Sequence, residues 1–307
     1  MKKYLLILML FAIPLDINAF VVDHNAVIEF DEIPIHWLNQ ATNLVVHYGH
    51  TSHGSQIIAG LKWLDQNEGH SFMCEDRNSS RVPDPPPQTH PPSLRMWEEG
   101  LWPDTATGRL GYWDGSAAQQ GTRNVLASGL FDVSGWSWCG QVGDNGWAYI
   151  QEYLDVLNSF EQQFPDVKIF YMTGHNVEPG PPNYKQVKYD RLHANNNGIR
   201  EYCRNNNKIL YDFADIESWD FDGNYHAEED SNCVWCSDYT SGYQNIPPRS
   251  ESGGGCRIST CAHTHGLNCV IKAKAFWWMM ARIAGWPGVD EAPPLSVPAA
   301  PTNLRIN

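Results

Sequence analysis

The sequence predicts an α/β protein: a central parallel sheet between two layers of helices. Three observations predict it. An apolar, β-branched run from Leu44 stops at Gly49-His50-Thr51-Ser52-His53-Gly54 and gives way to Ile57–Leu64, with apolar residues at helical spacing. Strand-like and helix-like segments then alternate through the second half, the order that builds a parallel sheet with crossover helices. The length suits one large domain, or one domain with long insertions.

In chain order, the first strand ends near His50 and the first helix follows at once. Residues 67–120 are polar, dense in proline (Pro83, Pro85, Pro86, Pro87, Pro91, Pro92) and dotted with Trp97, Trp102 and Trp113. So long a stretch reads as an elaborated loop over one end of the sheet. Leu130 to Trp138 is a strand, and Gly146 to Phe164 is an amphipathic helix through Ile150, Tyr153, Leu154, Leu157 and Phe160. Val167 to Met172 is a strand closed by Thr173-Gly174-His175-Asn176. A second insertion, rich in Pro and Asn, leads to a helix around residues 197–206. Lys208 to Phe213 is the last strand, and Leu267 to Ala284 the last helix, after an irregular cysteine-rich segment from Ser218. There is no internal repeat.

The ends differ from the middle. Residues 1–19 have a basic start, a short apolar core and a terminal Ala, and read as a secretory signal peptide. The domain proper is 20–290. Residues 291–307 are rich in Pro and Ala and read as a linker toward a fibronectin-type-III-like module beyond this chain. No later segment is apolar enough to span a membrane. The formal charge is −14, and −15 without the leader. An acidic surface of that size argues against nucleic acid or an anionic membrane as partner.

Eight cysteines in an exported chain read first as disulfides. Cys233-Val-Trp-Cys236 also has zinc-ligand spacing, with Cys256, Cys261 and Cys269 nearby. His47, His50 and His53 are spaced by three, but strand alternation puts His47 and His50 on opposite faces, so they cannot share a metal. Neither a metal nor a cofactor is expected. Asp215 and Glu217 could cap a turn, or bind calcium with Asp220 and Asp222. Trp97, Trp102, Trp113 and Trp235 lie in polar surroundings. They could pin loops or stack on a sugar face.

A serine in a tight turn between a buried strand and a helix is a candidate nucleophile, and Ser52 or Ser55 could equally cap the helix. The turn, the later strand–helix order and a His-bearing loop before the last helix together resemble the SGNH/GDSL hydrolases. The nucleophile turn takes a His-x-Ser-x-Gly form, with His50 where Asp is usual. The resemblance spans roughly residues 40–286 outside the insertions and implies a flavodoxin-like three-layer fold. It implies Ser52 as nucleophile and His263 as general base, with His265 as the alternative base. It implies oxyanion donors at the Ser52 N–H, at a glycine (Gly115 or Gly121), and at an amide. Gln141 fits by position and Asn176 by literal pattern. The family's Asp three residues before its His is here Thr260 (Ala262 for His265), so either a backbone carbonyl orients the histidine or an acid from elsewhere serves, Asp215 being the candidate. The expected activity is that of a secreted serine esterase or deacetylase on an acylated carbohydrate or small ester. The alternative is a non-catalytic carbohydrate-binding or adhesion module on the same fold.

Overall fold

The computed structural model describes residues 19–76, 82–100, 111–178, 184–226 and 231–289. The expected leader up to residue 18 and the expected linker lie outside them, as does Trp102. The chain runs β1 (Val21–Val22), α1 (His24–Ile28), α2 (Ile35–Ala41), β2 (Val45–His50), α3 (Ser55–Glu68), β3 (Phe72–Asp76) and β4 (Leu94–Gly100). It continues with α4 (Ser116–Leu126), β5 (Val133–Ser137), α5 (Gln141–Asp144), α6 (Trp147–Gln163), β6 (Lys168–Met172), α7 (Tyr184–Asn205) and β7 (Ile209–Tyr211). Then come α8 (Phe213–Ile216), β8 (Arg249–Ser250), β9 (Cys261–Ala262) and α9 (Gly266–Ile283).

Among the described residues seven strands form one sheet in the order β1-β7-β6-β5-β2-β4-β3, every pairing parallel. Helices α1, α2, α3 and α9 pack together as one layer, and α5, α6 and α7 associate as another. This is the three-layer α/β/α architecture. Strand β2 is buried at every position, as a central parallel strand must be when helices cover both faces. Helix α9 is buried almost end to end and lies against α3. The two approach so closely that a Cβ on Gly60 would fall 1.9 Å from the Cys269 carbonyl oxygen.

The polar stretch after α3 is not simply a loop. It contains β3 and β4, which complete one side of the sheet. Its carboxylates hid it, because Glu98 and Glu99 sit in a strand and are buried. Each faces a histidine of β2: His47 Nε2 lies 3.1 Å from Glu99 Oε2, and His50 Nε2 lies 2.8 Å from Glu98 Oε1. Adjacent glutamates on opposite faces meet histidines three apart, so the alternation argument for His47 and His50 holds. Trp97, Trp113 and Trp235 are buried, which removes them as sugar platforms. Helix α7 begins well before residue 197. Its inner face buries Leu192 and Ile199 together with Asn195 and Asn196, whose amides bond to the Val142 and Gly174 backbone, so its apolar period is weak in the sequence.

The chain order places a crevice at the sheet's centre. From β2 the chain turns to β3 and β4 on one side, then crosses to β5 on the other. The C-terminal ends of β2 and β5 therefore flank a topological switch point, where open α/β sheets bind ligands.

Candidate functional site

The turn after β2 is tied to the end of β5. Thr51 N–H donates to the Ser137 carbonyl at 3.1 Å, and Gly54 N–H donates back to the Thr51 carbonyl at 3.0 Å. Gly54 is required by packing: a Cβ there would lie 2.4 Å from His50 Cβ and 2.7 Å from Ser137 Cβ. The helix-cap reading of the serines fails. No side chain caps α3, and Ser55 Oγ instead donates to the Ser52 carbonyl at 2.7 Å. Ser52 Oγ lies 3.1 Å from Cys139 Sγ, just beyond β5.

Around this pair stand three imidazoles. His53 Nδ1 is 3.0 Å from the same Cys139 Sγ, and His53 Nε2 is 3.3 Å from Ser231 Oγ. The His53 ring stacks on His175, with centroids 3.6 Å apart and planes 3° from parallel, and lies 4.8 Å from the His263 ring. Burial pushes the His53 pKa well below its ordinary value, and the neighbouring His175 and His263 push it the same way. His53 is therefore neutral at physiological pH. His175 is fixed by its own loop, Nδ1 lying 2.6 Å from the Asn176 carbonyl.

His263 reaches this cluster on a loop held at several points. Its N–H donates to the Ser250 carbonyl at 2.7 Å, beside the short β8–β9 pair. Its φ of +61° is left-handed, an uncommon conformation for a residue with a Cβ. The Cys261–Cys269 disulfide clips the loop to α9, and Cys74–Cys256 clips its start to β3. Gly253 of the same loop lies on the serine turn, where a Cβ would fall 2.4 Å from Ser52 Cα. The disulfides set aside the zinc reading of Cys233-Val-Trp-Cys236, since those two cysteines are bonded to each other. They also correct the fully paired reading of the eight cysteines, because Cys139 and Cys203 are free.

The other candidates are placed as follows. His265 caps α9, its Nδ1 accepting from Leu267 N–H at 3.2 Å, and it lines a groove with Cys233, Pro247 and Arg249. Asp215 Oδ1 accepts from His24 N–H at 3.0 Å and lies 2.6 Å from His24 Nδ1, while Oδ2 accepts from Trp219 Nε1 at 3.3 Å. Asn176 is buried, and its amide donates to Ser218 Oγ and the Ala214 carbonyl. Gln141 stays at the crevice: its Oε1 accepts from Cys139 N–H at 2.6 Å. Gly115 opens α4 with φ +96°, and Gly121 lies inside that helix. Asp220 is a turn acid rather than a calcium ligand in waiting, since Asp222 N–H, Asn224 N–H and His226 Nε2 fill its oxygens.

Sequence reasoning underrated Cys139, His53 and His175. The available signal was position, because Cys139 and His175 both follow directly on strands at the same end of the sheet. Behind the site runs a buried network that the sequence did not reveal. Lys272 Nζ donates to Gln56 Oε1 at 2.5 Å and to Glu217 Oε2 at 2.7 Å, and Glu217 Oε1 accepts from Asn176 N–H at 2.5 Å. Gln56 Nε2 in turn donates to the Ala262 carbonyl at 2.6 Å, one residue from His263. Burial pushes the Lys272 pKa down to about 8, with Glu217 opposing the shift.

No family model matches the chain, and no curated protein matches it. Among solved structures it is similar to a protein from Bacteroides fragilis provisionally described as an acylhydrolase, at 8% identity and TM-score 0.34, over 59% of this chain and 72% of that one. It is also similar to a GDSL-like lipase from Bacteroides thetaiotaomicron, at 7% identity and TM-score 0.36, over 69% of this chain and 90% of that one.

Proposed function

We propose that the protein is an exported serine ester hydrolase of SGNH type, with Ser52 as nucleophile and His263 as its general base. One observation carries the reading. The Ser52 hydroxyl caps no helix, and stands at the switch-point crevice beside His53, against whose ring His263 lies 4.8 Å away. Ser52 Oγ bonds to the acyl carbon as its proton passes to the imidazole. The oxyanion is held by the Ser52 N–H and the Gln141 amide, and Gly115 is the remaining donor candidate. The protonated imidazole releases the alcohol, and water then repeats the cycle on the acyl-enzyme. His263 is favoured over His265 because His265 is committed to its helix cap. With Asp215 engaged by His24, the His263 loop is held by backbone bonds and the disulfide. O-acetyl groups on carbohydrate or small esters are the proposed substrates, recognised through the crevice and not through the buried tryptophans.

A second reading has its own observation: His53 Nδ1 lies 3.0 Å from Cys139 Sγ, which is the contact a thiol nucleophile needs. Hydrolysis of p-nitrophenyl acetate separates the two. Ser52→Ala and His263→Ala are expected to lose at least about a thousandfold in turnover, with Cys139→Ser within about tenfold of wild type. Loss in Cys139→Ser with Ser52→Ala active would transfer the role to the thiol. No turnover and no fluorophosphonate labelling, with glycan binding retained, would favour the non-catalytic module.

A further inference from the structure

Cys139 is a reduced thiol in a chain whose other cysteines, the buried Cys203 apart, are paired. It is half-buried at the crevice, and the ester hydrolysis proposed above has no use for it. Its neighbours are the side chains that bind soft and borderline metals. One ring nitrogen each of His53 and His175, together with Cys139 Sγ, lie within 4.8 Å of one another. Donors of a tetrahedral zinc site stand roughly 3.3–3.6 Å apart, from Zn–N and Zn–S bonds of about 2.0 and 2.3 Å. The His53 Nδ1 to Cys139 Sγ distance of 3.0 Å is already near that spacing.

From this cluster we infer a binding site for a zinc-class divalent ion, held by His53 Nδ1, Cys139 Sγ and His175. The second nitrogens of both rings support the assignment. His53 Nε2 is 3.3 Å from Ser231 Oγ, and His175 Nδ1 is 2.6 Å from the Asn176 carbonyl. An oxygen partner on the far nitrogen is how ligating histidines are oriented and their tautomers set. A backbone carbonyl only accepts, so His175 Nδ1 carries the proton and Nε2 carries the lone pair. Both rings are buried beside one thiol. Because an imidazole lone pair lies in its ring plane, ligation by both rings requires one of them to tilt out of the 3° stack as the ion binds. One thiolate with two neutral imidazoles is a zinc donor set and not a calcium or magnesium one. Binding releases the Cys139 thiol proton to solvent, and the loaded cluster carries a net charge of +1. Ser52 Oγ lies 3.1 Å from Cys139 Sγ, so an ion bound to the thiolate would neighbour the proposed nucleophile.

The test is titration of the chelator-treated full chain with Zn2+ alone by calorimetry, and with Co2+ followed by absorption. One equivalent is expected to bind, with proton release and with a thiolate-to-cobalt charge-transfer band. Cys139→Ser should abolish the band, and Cys139→Ser and His175→Gln should each weaken Zn2+ binding at least about tenfold. Thermal melts of both variants check that they fold. His24→Ala removes a histidine from the separate Asp23–His24–Asp215 cluster and should leave binding unchanged. Absence of binding by folded wild type, or loss in His24→Ala alone, overturns the assignment. The readout is metal binding, so it stands or falls separately from ester turnover.

Discussion

Asp215 shows how a residue's neighbours decide its task. Both of its oxygens are engaged near the N-terminus of α1, by His24 and by Trp219. Burial raises the Asp215 pKa, but the His24 hydrogen bonds outweigh it, and the net shift is downward from 3.8. For His24, burial lowers the pKa while Asp215 raises it, and the net shift is upward from 6.5. The Asp contribution to stability is therefore present above 3.8 and lost as pH falls through its lowered value. The His contribution is present below 6.5 and lost as pH rises through its raised value. His24→Ala should cost about 1 kcal/mol, for a pair whose side chains are each 24% exposed, with the full effect between pH 4 and 6.5. The melting-temperature deficit of the variant should shrink as pH rises through the raised His24 value, down to the part due to the lost stack on Trp219, and a deficit constant across pH would remove the ion pair as its cause. Asp215 was readable in sequence as an acid after the last strand. Its partner was not, because His24 lies 191 residues away.

At the scale of elements, three helices meet over the site through one buried cation. Lys272 on α9 joins Gln56 on α3 to Glu217, which follows α8, and its ammonium lies 3.9 Å from the Phe213 ring centroid. Removing one member strands the other. Lys272→Met should therefore lower unfolding free energy by about 3–5 kcal/mol, measured by urea denaturation, because Glu217 is left buried without its counter-charge. Lys272→Met/Glu217→Gln should recover part of that loss, and no recovery would show that packing around Lys272 dominates. The sequence shows α9 as an apolar helix, and a lysine within it looks like an exposed position. Only the packing of α9 against both α3 and the β7–α8 turn makes that position interior.

The molecule as a whole is closed by disulfides where its backbone is least regular. Cys74–Cys256 links residues 182 apart, a closure that removes about 5 kcal/mol of unfolded-chain entropy, and it ties the loop bearing Gly253 and His263 to the sheet edge. Alkylation of unreduced, denatured protein should modify two thiols, Cys139 and Cys203, and reduction should release six more. Any other count overturns the pairing. Composition and periodicity by themselves determined the layered α/β class, the strand–turn–helix around Ser52, β5 to β7 and the last helix. Those features depend on local apolar spacing, which the chain carries openly. Tertiary structure alone decided that Glu98 and Glu99 belong to a strand, that Trp97 and Trp113 are core, and that Cys139, His53, His175 and His263 converge. Each of these rests on a partner distant in sequence. A carboxylate or an imidazole enters the interior only when such a partner satisfies it, and the periodicity of its own segment carries no record of that partner.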